Sequence, residues 1–392
     1  MSFVFIRALC LIAVSSLVSA CNPSASDQAR ASGDLVVRIG ASAPLTGPQA
    51  HLGKDNENGM RMAIDDANAK GIVIGGRKVH FELISEDDQA DPKNATIVAQ
   101  KLVDNKVNGV IGHLNSGTTI PASRIYSDNG IPQISPSATA VSYTAQGFKT
   151  AFRVMANDAQ QGHILGEYAV NNLGAKKIAV IDDSTAYGQG LADEFIKAAQ
   201  ASGAQIVAHE HTNDKAFDFT SVLTAVKAKQ PELLFYGGMD AQGGPMAKQV
   251  KALALKLKFM MGDGGYTPEF IKLAGDAAEG AYASLPGVPL AKMPGGKVFA
   301  ERFVAKYQPI QLYAPYCYDA VNVMIAAMQK ADSVEPKKYL PVLAGMRYQG
   351  VTATIQFDGK GDLLGGAVTI YQVKQGKWQP LETMGAIPAA AP

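Results

Sequence analysis

From Leu35 onward, short β-branched runs alternate with stretches of helical period. "VVRIGASAPL" gives way to an amphipathic run from Lys54 to Ala69, which Gly71 stops. "KVHFELISEDD" precedes "DPKNATIVAQKLVDN", in which Ala95, Val98, Ala99, Leu102 and Val103 recur at helical spacing. Asp91 and Pro92 stand where an N-cap and a first-turn proline belong, so the acidic cluster Asp87, Asp88 and Asp91 reads as capping rather than as a metal site. The alternation continues through "IPQIS", "AFRVMAND", "KKIAVIDDS", "AQIVAHEHT", "PELLFYGG" and "LKFMMGDGG", each followed by a helical or loop segment. Strands separated by helix-length segments predict parallel βαβ sheets with helices on both faces, an α/β fold. Right-handed crossovers then gather the loops after the strand C-termini on one rim, where such sheets bind ligands. Near the C-terminus the pattern changes. "VTATIQFDGKGDL" and "GAVTIYQVKQGKWQP" read as strands of an antiparallel ribbon joined by a Gly-rich turn.

The 392 residues suffice for about two domains. Lys and Arg number 36 against 35 acidic residues, with no basic run, so nothing draws the chain toward nucleic acid. The start, "MSFVFIRALCLIAVSSLVSAC", places Arg7 before an apolar run from Ala8 to Val18 and then small residues. That run is short for a bilayer and fits an export signal over residues 1–20. "LVSAC" resembles a bacterial lipobox, which implies acylation of Cys21; cleavage after Ala20 without lipid is the other reading. Residues 21–33 are rich in Pro, Ser, Ala and Gly and predict a flexible tether. Cys10 and Cys21 belong to this leader, so Cys317 has no partner in the body for an internal disulfide.

Enzyme signatures are missing: there is no G-x-S-x-G, no G-x-x-x-x-G-K-[ST] and no H-E-x-x-H. "YGQGLADE" has Asp193 where a dinucleotide fingerprint needs glycine. His209 and His211 flank Glu210 in a strand and share a face, but two imidazoles without a third ligand read as a solvated strand face, so no metal is expected. Two loops carry more. "VIGHLNSGTT" and "QISPSATA" each run from an apolar strand into small hydroxyl residues. "NSGTT" precedes the helical "PASRIYSDNG", with Pro121 placed in the first turn. Free amides there, with the Ser116 hydroxyl, suit a small carboxylate. Ser137, Ala138 and Thr139 add carbonyls and a hydroxyl from the neighbouring strand. Plain helix capping is the competing explanation for both loops.

At this point the chain resembles a known family. "ASAPLTGP", "GMRMAIDDANAKGI", "EDDQADPKNA", "VIGHLNSG", "PASRIYSDNGIPQISPSATA", "YGQGLADEF" and "FYGG" occur in the order found in the leucine/isoleucine/valine-binding proteins, over about Leu35 to Trp378. The resemblance implies the type I periplasmic binding protein fold: two doubly wound lobes joined by a three-crossover hinge, 34–157 plus 287–365 and 158–286 plus 366–392. It implies that Ser116 and Thr139 grip a ligand carboxylate, while the Ser137 carbonyl, Thr139 and Asp263 face its ammonium, with Ala138 in the same loop. Tyr187 matches an aromatic of the second lobe that closes over the ligand, and Leu52, Met239 and Tyr313 match side-chain pocket positions.

Several positions depart from the family pattern. Ala90 and Asn115 replace its archetypal disulfide, Met239 stands where an aromatic is frequent, Leu52 is aliphatic where an aromatic is common, and Asp263 replaces Glu. The implied function is an extracytoplasmic receptor, monomeric and without cofactor or chemistry of its own. It would hand a branched-chain or other small aliphatic amino acid to the permease of an ABC importer, from a membrane anchor at Cys21. Two alternatives stay open: a receptor for an amide, urea or aromatic carboxylate, and an exported hydrolase using Ser116.

Overall fold

The computed structural model describes residues 33–385, so the leader, Cys21 and most of the tether lie outside the described residues. The first sheet contains β1 (Leu35–Ala43), β2 (Val73–Ile74), β3 (Arg77–Asp87), β4 (Gly109–Gly112), β5 (Gln133–Ser135) and β6 (Ala151–Arg153), in the order β2-β3-β1-β4-β5-β6. The second contains β7 (Lys177–Asp182), β8 (Gln205–His211), β9 (Leu233–Gly237), β10 (Lys258–Met261) and β11 (Tyr282–Pro286). After β12 (Arg347–Gln349) and β13 (Thr354–Gln356), which pair only with each other, β14 (Ala367–Lys374) and β15 (Lys377–Gly385) complete it as β15-β14-β11-β10-β9-β7-β8. Helices pack on both faces, giving two doubly wound α/β lobes. The expected C-terminal ribbon is corrected: β13 pairs antiparallel with β12, whereas β14 turns at Gln375–Gly376 and pairs with β15, so the two quoted stretches enter different sheets.

The strands are apolar on both sides because both sides are covered. In β7, Ile178 and Val180 join the core that contains Phe195 and Phe235, while Ala179 and Ile181 face the core of Leu223, Phe259 and Phe270. Phe195 and Phe235 stack with centroids 4.0 Å apart. Cys317 lies fully buried in helix Ala314–Lys330 and unpaired, and burial pushes its thiol well above the usual range. No helix among the described residues is long and apolar enough to cross a membrane.

The chain passes between the sheets three times: after β6, after β11 at Pro286–Gly287, and before β14 at Gly365–Gly366. A cavity of about 500 Å³ lies among these strands of backbone, lined by Met155, Ala156, Gly287, Val288, Gly365 and Gly366 among others. Arg153 anchors the junction. It is fully buried and donates to Asp362 Oδ1 at 2.6 Å, the Ala138 carbonyl at 2.6 Å, the Ala140 carbonyl at 2.8 Å and Thr144 Oγ1 at 3.1 Å. One guanidinium thus ties the second hydroxyl loop to the segment that leads into the third crossover. Removing it leaves the Ala138 carbonyl without its donor and Asp362 with neutral donors alone, so Arg153→Met is expected to cost about 3–5 kcal/mol. Urea denaturation checks this, and a loss under about 1 kcal/mol would mean the junction does not rest on Arg153.

Candidate ligand-binding site

β4 and β5 are parallel neighbours in register Val110↔Gln133 and Ile111↔Ile134, so the two hydroxyl loops leave adjacent strand ends. The first begins its helix earlier than the sequence predicts: it spans Ser116–Asp128, and Pro121 lies inside it. Asn115 takes the N-cap position without capping; its Nδ2 donates to Gln49 Oε1 at 2.7 Å. The amides of Ser116 and Gly117, first in the helix, have no acceptor within it. Ser116 Oγ accepts from the Ala140 amide at 3.1 Å, which joins the two loops. Ser137 Oγ donates to the Leu114 carbonyl at 2.9 Å, and the Ala138 amide donates to Ser135 Oγ at 2.9 Å. Thr139 is fully buried, and its hydroxyl makes no well-formed hydrogen bond, although it lies near enough to the Asp158 carboxyl to act on it.

Beneath the first loop, the buried His113 uses Nδ1 toward both Asp88 Oδ2 (2.7 Å) and Ser42 Oγ (2.9 Å), and Nε2 toward the Tyr126 hydroxyl (3.0 Å). Serine and aspartate share one ring nitrogen, so the imidazole cannot take a serine proton on one nitrogen while an aspartate orients the other, as a hydrolase triad requires. The cluster is a strut. Of the acidic cluster around it, Asp91 alone caps helix Pro92–Asp104, through the Lys93 and Asn94 amides, whereas Asp88 holds His113.

Across the rim, Asp263 follows β10 and is buried to 1 % exposure. Its Oδ1 accepts from the Tyr187 hydroxyl at 2.8 Å and Gln161 Nε2 at 2.8 Å, and its Oδ2 from the Tyr313 hydroxyl at 2.6 Å. The Gly264 amide donates to the Tyr187 oxygen at 2.9 Å. A Cβ on Gly264 would meet the Gly238 carbonyl at 2.8 Å and Met239 Sδ at 2.8 Å, so the turn requires glycine there. Tyr313 is supplied by the segment before helix Ala314–Lys330, which Asp55 fixes by accepting the amides of Gln311, Leu312 and Ala314 at 2.9–3.0 Å. Gln161 is oriented by Ser284 Oγ, which donates to its Oε1 at 3.2 Å.

Tyr187, Asp263 and Tyr313 therefore meet in one cluster, with Met239 against Gly264. Leu52 is buried in helix Ala50–Ala69 beside His51, whose Nε2 lies 2.8 Å from Asp240 Oδ2, next to Met239. Asp158, Gln161 and Asp55 escaped the sequence reading. Asp158 begins helix Asp158–Asn171 and is fully buried with neither oxygen hydrogen-bonded. In the sequence it stands at the head of a helical segment like any first-turn aspartate, and only its burial opposite Thr139 marks it. The close seating of this helix on Ala186–Ala201 puts it there: a Cβ on Gly162 would lie 2.6 Å from that of Glu194.

A family model described as periplasmic binding protein matches residues 36–377. The chain belongs to the periplasmic binding proteins. A leucine-, isoleucine-, valine-, threonine- and alanine-binding protein of Pseudomonas aeruginosa is 34% identical over 337 residues, 86% of this chain and 89% of its own length. Among solved structures, a leucine binding protein from Thermotoga maritima superposes with a TM-score of 0.83 at 26% identity, covering 90% of this chain and 99% of its own. A branched-chain amino acid transporter substrate binding protein from Streptococcus pneumoniae, in complex with isoleucine, gives 0.80 at 26% identity and covers 89% and 99%. Proteins of this family hold a solute and release it unchanged. Among the described residues, Ser116 has no imidazole partner that would make it a nucleophile.

The cleft of this periplasmic binding protein carries unbalanced acidity. Burial, reinforced by the charge of Asp263, pushes the Asp158 carboxyl from 3.8 up to about 8, against weaker opposing pulls from Thr139 and Arg153. Burial likewise raises Asp263, although Tyr313 and Tyr187 favour its ionised form. For His51, burial works against the charge, but the hydrogen bond and charge of Asp240, aided by Glu269, outweigh it and raise the pKa. A carboxyl whose pKa is raised on folding contributes stability below its ordinary value and loses it as pH climbs through the folded value. The ligand-free fold is therefore expected to lose on the order of 1–3 kcal/mol between pH 5 and pH 8, with hydration of the cleft limiting the loss. Asp158→Asn should flatten that slope in urea denaturation, and an unchanged slope would remove Asp158 as its source.

Proposed function

We propose that this periplasmic binding protein captures a small aliphatic amino acid, branched-chain residues foremost, between its lobes and delivers it to an ABC importer. The observation that carries the reading is the pairing of opposite demands on the two rims. One rim offers helix amides, the Ser116 loop and the unpartnered Thr139 hydroxyl, which suit a carboxylate. The other offers Asp263, an anion surrounded by neutral donors and lacking a cation. A zwitterion entering such a cleft loses water at both ends, and only an anion fully compensates its ammonium. Ser116 and Thr139 grip the carboxylate, with the Ser137 carbonyl and Asp263 toward the ammonium. Leu52, Met239 and Tyr313 border the side chain, and Ala138 and Tyr187 hold the loop and the carboxylate in place. The names of the Pseudomonas, Thermotoga and Streptococcus proteins point the same way. An amide or urea would leave Asp263 unpaired, which disfavours that alternative.

The moving bodies in this reading are 34–157 plus 287–365 and 158–286 plus 366–392, with Tyr313–Asp263 and His51–Asp240 as the contacts made on closing. The chain works as a monomer outside the cytoplasm, held at the membrane by lipid on Cys21 and the tether behind it. One CH₂ contributes only ~0.8 kcal/mol, so leucine, isoleucine and valine should differ by less than about tenfold in affinity.

Asp263→Asn keeps the shape and removes the charge. Calorimetry with leucine, isoleucine and valine is expected to show a loss on the order of 2–5 kcal/mol. If the variant binds its best amino acid within about threefold of the parent, equivalent to roughly 0.6 kcal/mol, the amino-acid assignment fails. Solution scattering should give a smaller radius of gyration for the parent with ligand than without; identical profiles at saturation would mean that the lobes do not close on it.

A further inference from the structure

The two imidazoles left unassigned by the sequence acquire a third partner in the fold. His209 and His211 lie on β8, the terminal strand of the second sheet, whose outer edge pairs with no other strand among the described residues. Their ring centroids are 4.6 Å apart. Asp182, at the end of the neighbouring β7, sends one oxygen, Oδ2, to within 2.8 Å of His209 Nε2 and 2.8 Å of His211 Nδ1. We infer that Asp182, His209 and His211 form a binding site for a divalent transition-metal ion on the outer edge of the second lobe.

Two arguments carry this. The first is convergence. The three donor atoms lie within 4.8 Å of one another, with both ring nitrogens turned to the same carboxylate oxygen. Imidazole and carboxylate are the ligands of zinc, nickel and copper, whereas calcium and magnesium take oxygen alone. The second is orientation. Asp182 Oδ1 accepts the Ser184 amide at 2.9 Å, and Ser184 Oγ donates to the Thr212 carbonyl at 2.8 Å. The Thr212 amide in turn donates to the Asp182 carbonyl at 2.8 Å. The carboxylate is thus held from behind, as second partners hold the ligands of metal sites.

Access completes the site. Asp182 is buried, but the His209 side chain is 28 % exposed and that of His211 51 % exposed, so an ion can arrive from solvent and keep water in the remaining positions. On binding, the ion bonds to His209 Nε2, His211 Nδ1 and Asp182 Oδ2. The hydrated ion releases three water ligands in exchange, the two hydrogen bonds from the rings to Oδ2 are given up, and each ring proton that had pointed at Oδ2 moves to the opposite ring nitrogen or leaves to solvent. The half-exposed His211 ring supplies the small swing that brings the nitrogens to coordination distance. The site is remote in role from the cleft and independent of the amino acid proposed there.

The test uses untagged protein, because an affinity tag of histidines would mask it. Calorimetric titration with zinc chloride and with nickel chloride is expected to show one equivalent bound with micromolar affinity, and titration with calcium chloride none. His209→Gln and His211→Gln, both at partly exposed positions and checked for folding by circular dichroism, should each weaken zinc at least about tenfold, and the double variant should abolish the event. His80→Gln and His163→Gln should leave it intact. No saturable binding by the parent at millimolar zinc overturns the site. So does parent-like binding by the folded double variant, which would put the metal elsewhere.

Discussion

A carboxylate taken out of water must be answered by donors, and the ligand cleft is organised around how Asp263 is answered. Three neutral groups do it: the hydroxyls of Tyr187 and Tyr313 and the amide of Gln161. Each belongs to a different stretch of chain, so satisfying this one side chain specifies how helix Asp158–Asn171, helix Ala186–Ala201 and the approach to helix Ala314–Lys330 meet. Neutral donors stabilise the charge without cancelling it. The cleft stays electrically incomplete, and in the function proposed above that incompleteness is what a ligand's ammonium resolves.

The supports behind the cluster follow the same logic at greater depth. Asp55 takes three backbone amides and thereby fixes where Tyr313 leaves its loop. Arg153 gathers two carbonyls of the hydroxyl loop and the carboxylate of Asp362. In both cases a buried ion is paired with backbone rather than left to an opposite charge alone, so geometry and charge are fixed together. Such anchors would suit the lobe closure proposed above, because each rim would keep its own shape as the gap between them changed.

Much of this was legible in the sequence because it is written in periodicity. The β-branched runs, their helix-length spacing and the placement of two hydroxyl loops on adjacent strands follow from local pattern and the handedness of crossovers. What escaped is long-range. Nothing near Asp158 distinguishes it from a capping residue, and Asp55 reads as one acidic position on an amphipathic helix; their partners lie far away in the chain. The helix after the first hydroxyl loop starts about one turn earlier than the sequence predicts for a similar reason, since Pro121 resembles a helix start but lies inside a helix that begins at Ser116. The pairing of β13 with β12, and of β14 with β15, is likewise a tertiary decision between equally plausible ribbons. His209 and His211 were read correctly as sharing a face, but Asp182 reaches them from another strand and no spacing rule connects the three.

The solitary thiol has a practical corollary. Cys317 is the one cysteine among the described residues, has no exposed surface, and its burial disfavours the reactive thiolate. A chain shortened to begin after Cys21 would therefore be silent to maleimide dyes. A single cysteine engineered at the lip of either lobe would take all the label, and the fluorescence of that one dye would turn the molecule into an optical reporter of its own solute.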